Sequence, residues 1–398
     1  MGRIRVNARV HRLPAGNAVW KSDYDVPAGD GPALLEQIAT TVLDVIVPAA
    51  AADAPHAPRI EADACKSGYE DYLRGRQLLA VARGERAREP LKRATQLAPE
   101  CGVAWAALAW AHVDWTLGGF AKAGAAARRA LEINDALAEA WAVLAEIAEE
   151  EQRWGESERL YLKALNLDPA NAHVNAMYAE ALMTRGRVRD SLQYALEAYR
   201  FEPASQTANF HVQLSAQYAG EADLLIKHGK IGIEMADSES RRESCWEAIA
   251  EGHLMKGDPK KAAGIIEEHV QATADWYPRC IRSIEEPDLR DGLMPAMRET
   301  LRQHYAGKLS DWQAWTQRWN VIRCAIFIGE PELVLEVMTA EEFPTEVDFT
   351  LFFLPDAGAL RQTDHFRNLV TVSGLLDYWR EWGWSDYCRP DGDSFACD

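Results

Sequence analysis

The chain has 398 residues, 48% of them apolar, and a formal net charge of −18. That content supports a large buried core, while the acidic surface argues against nucleic acid, whose counterions are displaced by clustered Lys and Arg. Basic or neutral partners are favoured instead.

The N-terminus MGRIRVNARVHR is charged and alternating, unlike a signal peptide. Ile4, Val6, Ala8 and Val10 alternate with polar residues, the chain turns at LPAG, and Ala18, Trp20 and Tyr24 resume the pattern. That spacing predicts a β-hairpin, followed by a helix over 31–47. The apolar run IATTVLDVIVPAAAA is broken by Asp44 and Pro48 and is too short to span a bilayer, so no membrane insertion is expected. Residues 1–50 thus read as a partial α/β element, too small to stand alone, and 51–69 as a Pro/Ala linker. The hairpin's unpaired edge could hold a second copy in a homo-oligomer.

From 70 to 273 the chain repeats. Asp135, Pro169, Pro203 and Asp237 end helical patterns at intervals of 34, and Ala130, Ala164, Ala198 and Gly232 keep the same step five residues upstream. An earlier copy ending at Pro99 is offset by two residues, because TLGGFAKAG lengthens a turn. A later copy contains Trp246, Ile249, Ala250 and Ala262. Each unit is two amphipathic helices with small residues where they approach closely and a Pro or Asp stop. No unit buries its apolar stripe alone, so the fold predicted is an all-α solenoid of stacked pairs.

Past 273 the period decays into degenerate helical repeats over 274–398. Trp312, Trp315 and Trp319 share a helix face, and Trp379, Trp382 and Trp384 fall within GLLDYWREWGWSDYC. Three indoles so close could be a plug over the solenoid's open end, a partner hot spot or a cation cage. The plug is favoured, because a terminal apolar face needs an atypical cap.

Seven cysteines, odd in number and never in CxxC, favour reduced thiols and a cytoplasmic setting, or a periplasmic one if the chain is a fragment of a longer protein. Cys388 and Cys397 are near enough to pair if the chain is exported. There is no GxxxxGK[ST], HExxH or GxSxG. Cys388 with His365 and Asp386 is a weak nucleophile set, and the Glu run 146–152 is a solvated face rather than a metal cage. Catalysis, cofactor and metal are not expected. The alternative is an enzyme with its site in 274–398.

In the unit 138–171, Trp141, Leu144, Ala145, Tyr161, Ala164 and Pro169 resemble the tetratricopeptide-repeat pattern, with Ser157 in place of a small Ala. Arg5, Val6, Ala8, Gly16, Trp20 and Tyr24, with DYLRGRQLLA at the repeat entrance, resemble the end of the TolB-like domain that precedes such repeats in bacterial adenylate cyclases and winged-helix regulators. Asp377, Tyr378, Trp379, Arg380, Gly383, Trp384, Tyr387 and Cys388 are similar to the ending of those proteins. The resemblance implies a sensory or signalling half without a cyclase or DNA-binding domain. It implies a groove lined by the first helix of each unit, formed by Asp71, Arg74, Trp105, Leu108, His112, Trp115, Glu139, Glu146, Glu149, Glu150, His173, Glu180, Met183, Phe210 and Leu214. Trp105, His112, Trp115, Glu146, Glu149, Glu150, Glu180, Met183 and Phe210 are the expected partner-binding residues. They suit an adaptor for a basic protein or peptide with an apolar anchor. Packing of Trp105 and Trp115 under a neighbouring element is the competing reading.

Overall fold

A computed structural model describes residues 3–12, 17–27, 30, 34, 37–38, 62–80, 84–113, 119–306, 311–338 and 349–398. The chain divides into two compact units, residues 1–148 with 156–174 and residues 149–155 with 175–398. Among the described residues no helix is long and apolar enough to cross a membrane.

In the first unit, β1 (Arg3–Arg12) pairs antiparallel with β2 (Asn17–Pro27) in the expected hairpin, with a bulge at Val10/His11. The helix expected over 31–47 lies almost wholly outside the described residues. The linker expected over 51–69 is structured at its end: Ala62–Cys65 is a helical turn, Lys66–Gly68 a 3-10 turn, and Cys65 is bonded to Cys101. Three helix pairs follow, α1 (Tyr69–Ala80) with α2 (Gly84–Leu97), α3 (Gly102–Ala111) with α4 (Gly119–Ile133), and α5 (Ala138–Glu150) with α6 (Trp154–Leu167), residues 149–155 of the last pair belonging to the second unit. Their core is small: Ala87, Ala107, Ala127, Ala130 and Ala140 are fully buried beside Leu91 and Val143. Alanine at these positions lets helix backbones approach closely, which is why the repeat keeps it.

The second unit continues with α7 (Ala172–Thr184), α8 (Val188–Phe201), α9 (Gln206–Tyr218), α10 (Ala222–Met235), α11 (Glu239–Met255) and α12 (Pro259–His269). Gly186, Gly220 and Gly257 turn these pairs with φ of 76°, 74° and 73°, a left-handed conformation that favours glycine. Beyond Val270 come α13 (Tyr277–Arg282), α14 (Leu293–Tyr305), α15 (Asp311–Ile328), α16 (Pro331–Met338), α17 (Asp364–Val372) and α18 (Leu375–Trp382). A second hairpin, β3 (Cys388–Asp391) with β4 (Ser394–Cys397), closes the chain. The fold is therefore all-α, of helix pairs on the tetratricopeptide period, with two small hairpins.

The tryptophans of α18 belong to the core. Trp379 is fully buried, its indole N–H donating to Arg185 O at 2.8 Å, and it packs edge-on against Phe353 and Phe395. Trp382 and Trp384 pack on the same cluster, half-buried. The tail packs on repeat turns of its own unit: Asp386 N–H donates to Gly186 O at 2.9 Å and Tyr387 Oη to Tyr218 O at 2.7 Å.

Six of the seven cysteines are paired, as Cys65–Cys101, Cys280–Cys324 and Cys388–Cys397, leaving Cys245 as a buried thiol. This departs from the reduced thiols expected above. The first two bridges join residues 36 and 44 apart in sequence that packing brings together, a proximity that CxxC spacing does not report. Cys388, being bridged, is no nucleophile.

Candidate binding cleft

Within the second unit, the first helices of three successive pairs, α7, α9 and α11, face a cleft of about 320 Å³ that α12, α13 and α15 close from the far side. Its walls are apolar: Met183 is buried, Leu214, Leu254 and Ile266 extend the surface, and Phe210, Tyr277 and Trp319 add rings. Phe210 remains 48% exposed, a large apolar ring at the opening.

Among the described lining residues the polar groups are carboxylates, hydroxyls, amides and the Trp319 indole, with no Lys or Arg. Glu180 sits at the rim, half-exposed, 3.9 Å from His211 Nδ1. Burial holds the His211 imidazole below its ordinary value although Glu180 opposes the shift. Deeper in, Glu251 is gripped by Arg323, which also donates to both oxygens of Asp356 at 2.9 and 3.1 Å. Glu251 is nonetheless raised, by burial first, with Arg323 opposing. One turn earlier, Glu247 Oε1 is shut off from solvent and has no hydrogen-bond partner among the described residues. Burial, with Glu243 and Glu251 as like-charged neighbours, pushes its carboxyl up to about 8. Burial also raises Tyr277, and Tyr218 to about 12. Among the described residues no group of His, Cys, Asp and Glu is arranged to hold a metal.

The cleft brings together Glu180, Met183 and Phe210 of the residues expected to bind a partner. The others are placed differently. Glu149 is buried in an ion pair with the fully buried Arg185, and so presents no free charge. Glu150 is half-buried, its carboxyl raised by burial and then by Glu151. In the first unit, Glu146 accepts a hydrogen bond from Tyr161 Oη, and His112 caps α3 with its imidazole lowered by burial and by Arg88, Lys122 and Lys92. Glu139 is held by Arg76 at 2.7 and 2.8 Å. Trp115 lies outside the described residues, as do the side chains of Trp312 and Trp315. Trp105 donates its indole N–H to Pro99 O at 2.9 Å, as Trp141 does to Asp135 O at 2.8 Å. Both indoles pin the stop of the preceding helix, and the two-residue offset of the first copy had disguised the equivalence. Trp105 is half-buried, with its indole N–H occupied in this way.

Glu247, Glu251, Tyr277 and Trp319 are cleft residues that sequence reasoning missed. The period contains the signal for the first two. Phe210, Gln213, Leu214 and Gln217 line the cleft, and so do Ser244, Glu247, Ala248 and Glu251, each 34 residues on.

No family model matches the chain, and no curated protein matches it. Solved structures that it resembles include YrrB, described as a TPR protein with an unusual peptide-binding site, at 16% identity over 55% of this chain and 98% of that one, with a TM-score of 0.35. PilF of Pseudomonas aeruginosa is 18% identical over 54% of this chain and 96% of its own, with a TM-score of 0.39. The human IFIT1 dimer with m7Gppp-AAAA is 16% identical over 84% and 80%, with a TM-score of 0.45.

Proposed function

We propose that the chain is a non-catalytic binding module that takes a basic peptide with an apolar anchor into the cleft of its second unit. The observation that carries this reading is the union of an exposed ring, apolar walls and carboxylates, with no cation among the described lining residues. A cleft of about 320 Å³ has room for one or two side chains and not for a folded domain. Its sign disfavours phosphate-bearing ligands. The sensory role implied by the resemblance of residues 1–50 fits a module that recognises a peptide and reports it. The same reading sets the protein in an oxidising compartment, because disulfides persist where thiols are not kept reduced.

The test is titration with a fluorescent library of short peptides pairing Lys or Arg with an aromatic or aliphatic residue. Phe210→Ala should weaken the best peptide by about 2 kcal/mol with little dependence on salt. Glu180→Lys should act mainly on the association rate, by about 0–1 kcal/mol, and fade as salt rises. Equal losses at all salt concentrations, or binding that neither variant alters, would place the ligand elsewhere.

A further inference from the structure

Among the described residues three carboxylates line the cleft, Glu180, Glu247 and Glu251, with Glu243 one turn before Glu247 on the same helix, and all but Glu247 already have an occupation. Glu243 Oε1 accepts the backbone N–H of Gln271 at 3.0 Å. Glu251 is paired with Arg323, whose other contacts go to Asp356. Glu180 is half-exposed at the rim, where water solvates it. Glu247 differs on each count. It lines the cleft, and among the described residues Oε1 is sealed from solvent without a hydrogen bond and the like-charged Glu243 and Glu251 are the neighbours that act on it. A buried polar atom without a partner is rare in native proteins and calls for a cause. Glu247 is the lining carboxylate, among the described residues, whose buried oxygen has been left without a donor, the place that a cationic donor would fill.

We propose that Glu247 is the receptor for a single cationic head group, ammonium or guanidinium, carried on an apolar stem into the cleft, and that its arrival releases the carboxyl proton to solvent. The inference rests on the binding reading above and names the chemistry of its central contact. In the exchange, the O–H bond of Glu247 breaks with its electron pair left on the carboxylate. The proton passes to buffer, and the guest keeps all of its own protons. Met183, Leu214 and Leu254 offer the stem its apolar wall, and the Trp319 and Phe210 rings lie within the same cleft.

The groups that could add to a pH dependence are few. Glu243 and Glu251 share helix α11 with Glu247, while Glu180, Tyr218 and Tyr277 face the cleft from α7, α9 and α13. Arg323 and Asp356 act through Glu251. Tyr218, held at about 12, and Tyr277, raised as well, keep their protons between pH 6 and 8.

The experiment is calorimetric titration of the full chain with n-hexylammonium and n-butylguanidinium, with 1-hexanol as the neutral isostere, in buffers of different ionisation enthalpy from pH 6 to 9. Both cations should bind with release of about one proton at pH 6–7, and affinity should rise about tenfold per pH unit before levelling above pH 8. Hexanol should show neither effect. E247Q, folded by near-ultraviolet circular dichroism, should lose the proton release, the pH slope and at least tenfold of the cation affinity at pH 8, while keeping hexanol. E180Q should keep the release and the slope. Cation binding without proton release, no cation binding, or an unchanged E247Q would overturn the proposal. A lysyl peptide, Phe-Lys-amide with an acetylated N-terminus, separates this from the peptide reading. Simple amines binding through Glu247 while the peptide does not would leave the inference standing and sink the peptide. A peptide binding equally to E247Q would do the reverse.

Discussion

Gly186 shows how one residue meets two demands. Its φ of 76° costs an L side chain about 1–2 kcal/mol, and a Cβ there would stand 2.5 Å from both the Phe353 ring and Ser385 Oγ. Gly257 has nearly the same φ, 73°, with open space around it. Gly186→Ala should therefore destabilise by about 2–5 kcal/mol and Gly257→Ala by only about 1–2, because overpacking adds to the first and not to the second. Urea unfolding of the two variants checks this, and equal losses would mean that the tail does not press on that turn. The sequence shows a glycine here but not what it does. What it touches was not legible, since its neighbours lie more than 160 residues further along the chain. The same limit hid the role of Glu149: its carboxylate belongs to the solvated-looking run 146–152, but Arg185 pairs with it in the interior. Charge identity is local information, whereas burial is decided by what packs above it.

At the scale of elements, the repeat helices were legible because stop residues and small residues recur on one period, and packing neighbours are also sequence neighbours. Register was harder. The two extra residues in the first copy moved Trp105 from a pin against Pro99 O to an apparent groove position. The second hairpin went unread because Cys388–Asp391 and Ser394–Cys397 are each four residues long, too short for alternation to register. Helix α18 was legible as aromatic and as core-directed, and its energetics follow. Trp379→Ala should cost about 3–5 kcal/mol, from lost burial and a cavity beside Phe353 and Phe395. Trp379→Phe should recover part of the apolar contact while leaving Arg185 O without its donor, so it should fall between the two. Denaturation followed by near-ultraviolet circular dichroism gives the ranking, and a Trp379→Ala protein as stable as the parent would show that the indole is no part of the core.

For the molecule as a whole, the bridges act in both units. Cys65–Cys101 closes 36 residues in the first, and Cys280–Cys324 closes 44 in the second. Loops of that size restrain the unfolded chain by about 3–5 kcal/mol each in the chain-entropy picture. Reduction should therefore lower the melting temperature of both units, which calorimetry with and without a phosphine reductant would read as two shifted transitions. Cys65→Ser should shift one alone. A scan insensitive to reductant would mean that the thiols are not joined in solution.

The contact between Trp379 and Arg185 spans 194 residues, and it sets a clock on synthesis. At about 5–20 residues per second, a ribosome takes on the order of 10–40 s to make that stretch. Throughout the interval Trp154, Met183 and Val188, which pack in the cluster that the tail completes, have no cover from it. The early helix pairs of this unit are thus translated long before they can be finished, and their apolar side is open to holdase chaperones or to the same segment on a neighbouring ribosome. Nascent chains stalled before residue 379 leaves the exit tunnel should be cut readily by protease within 175–269. Those stalled beyond the closing hairpin should resist.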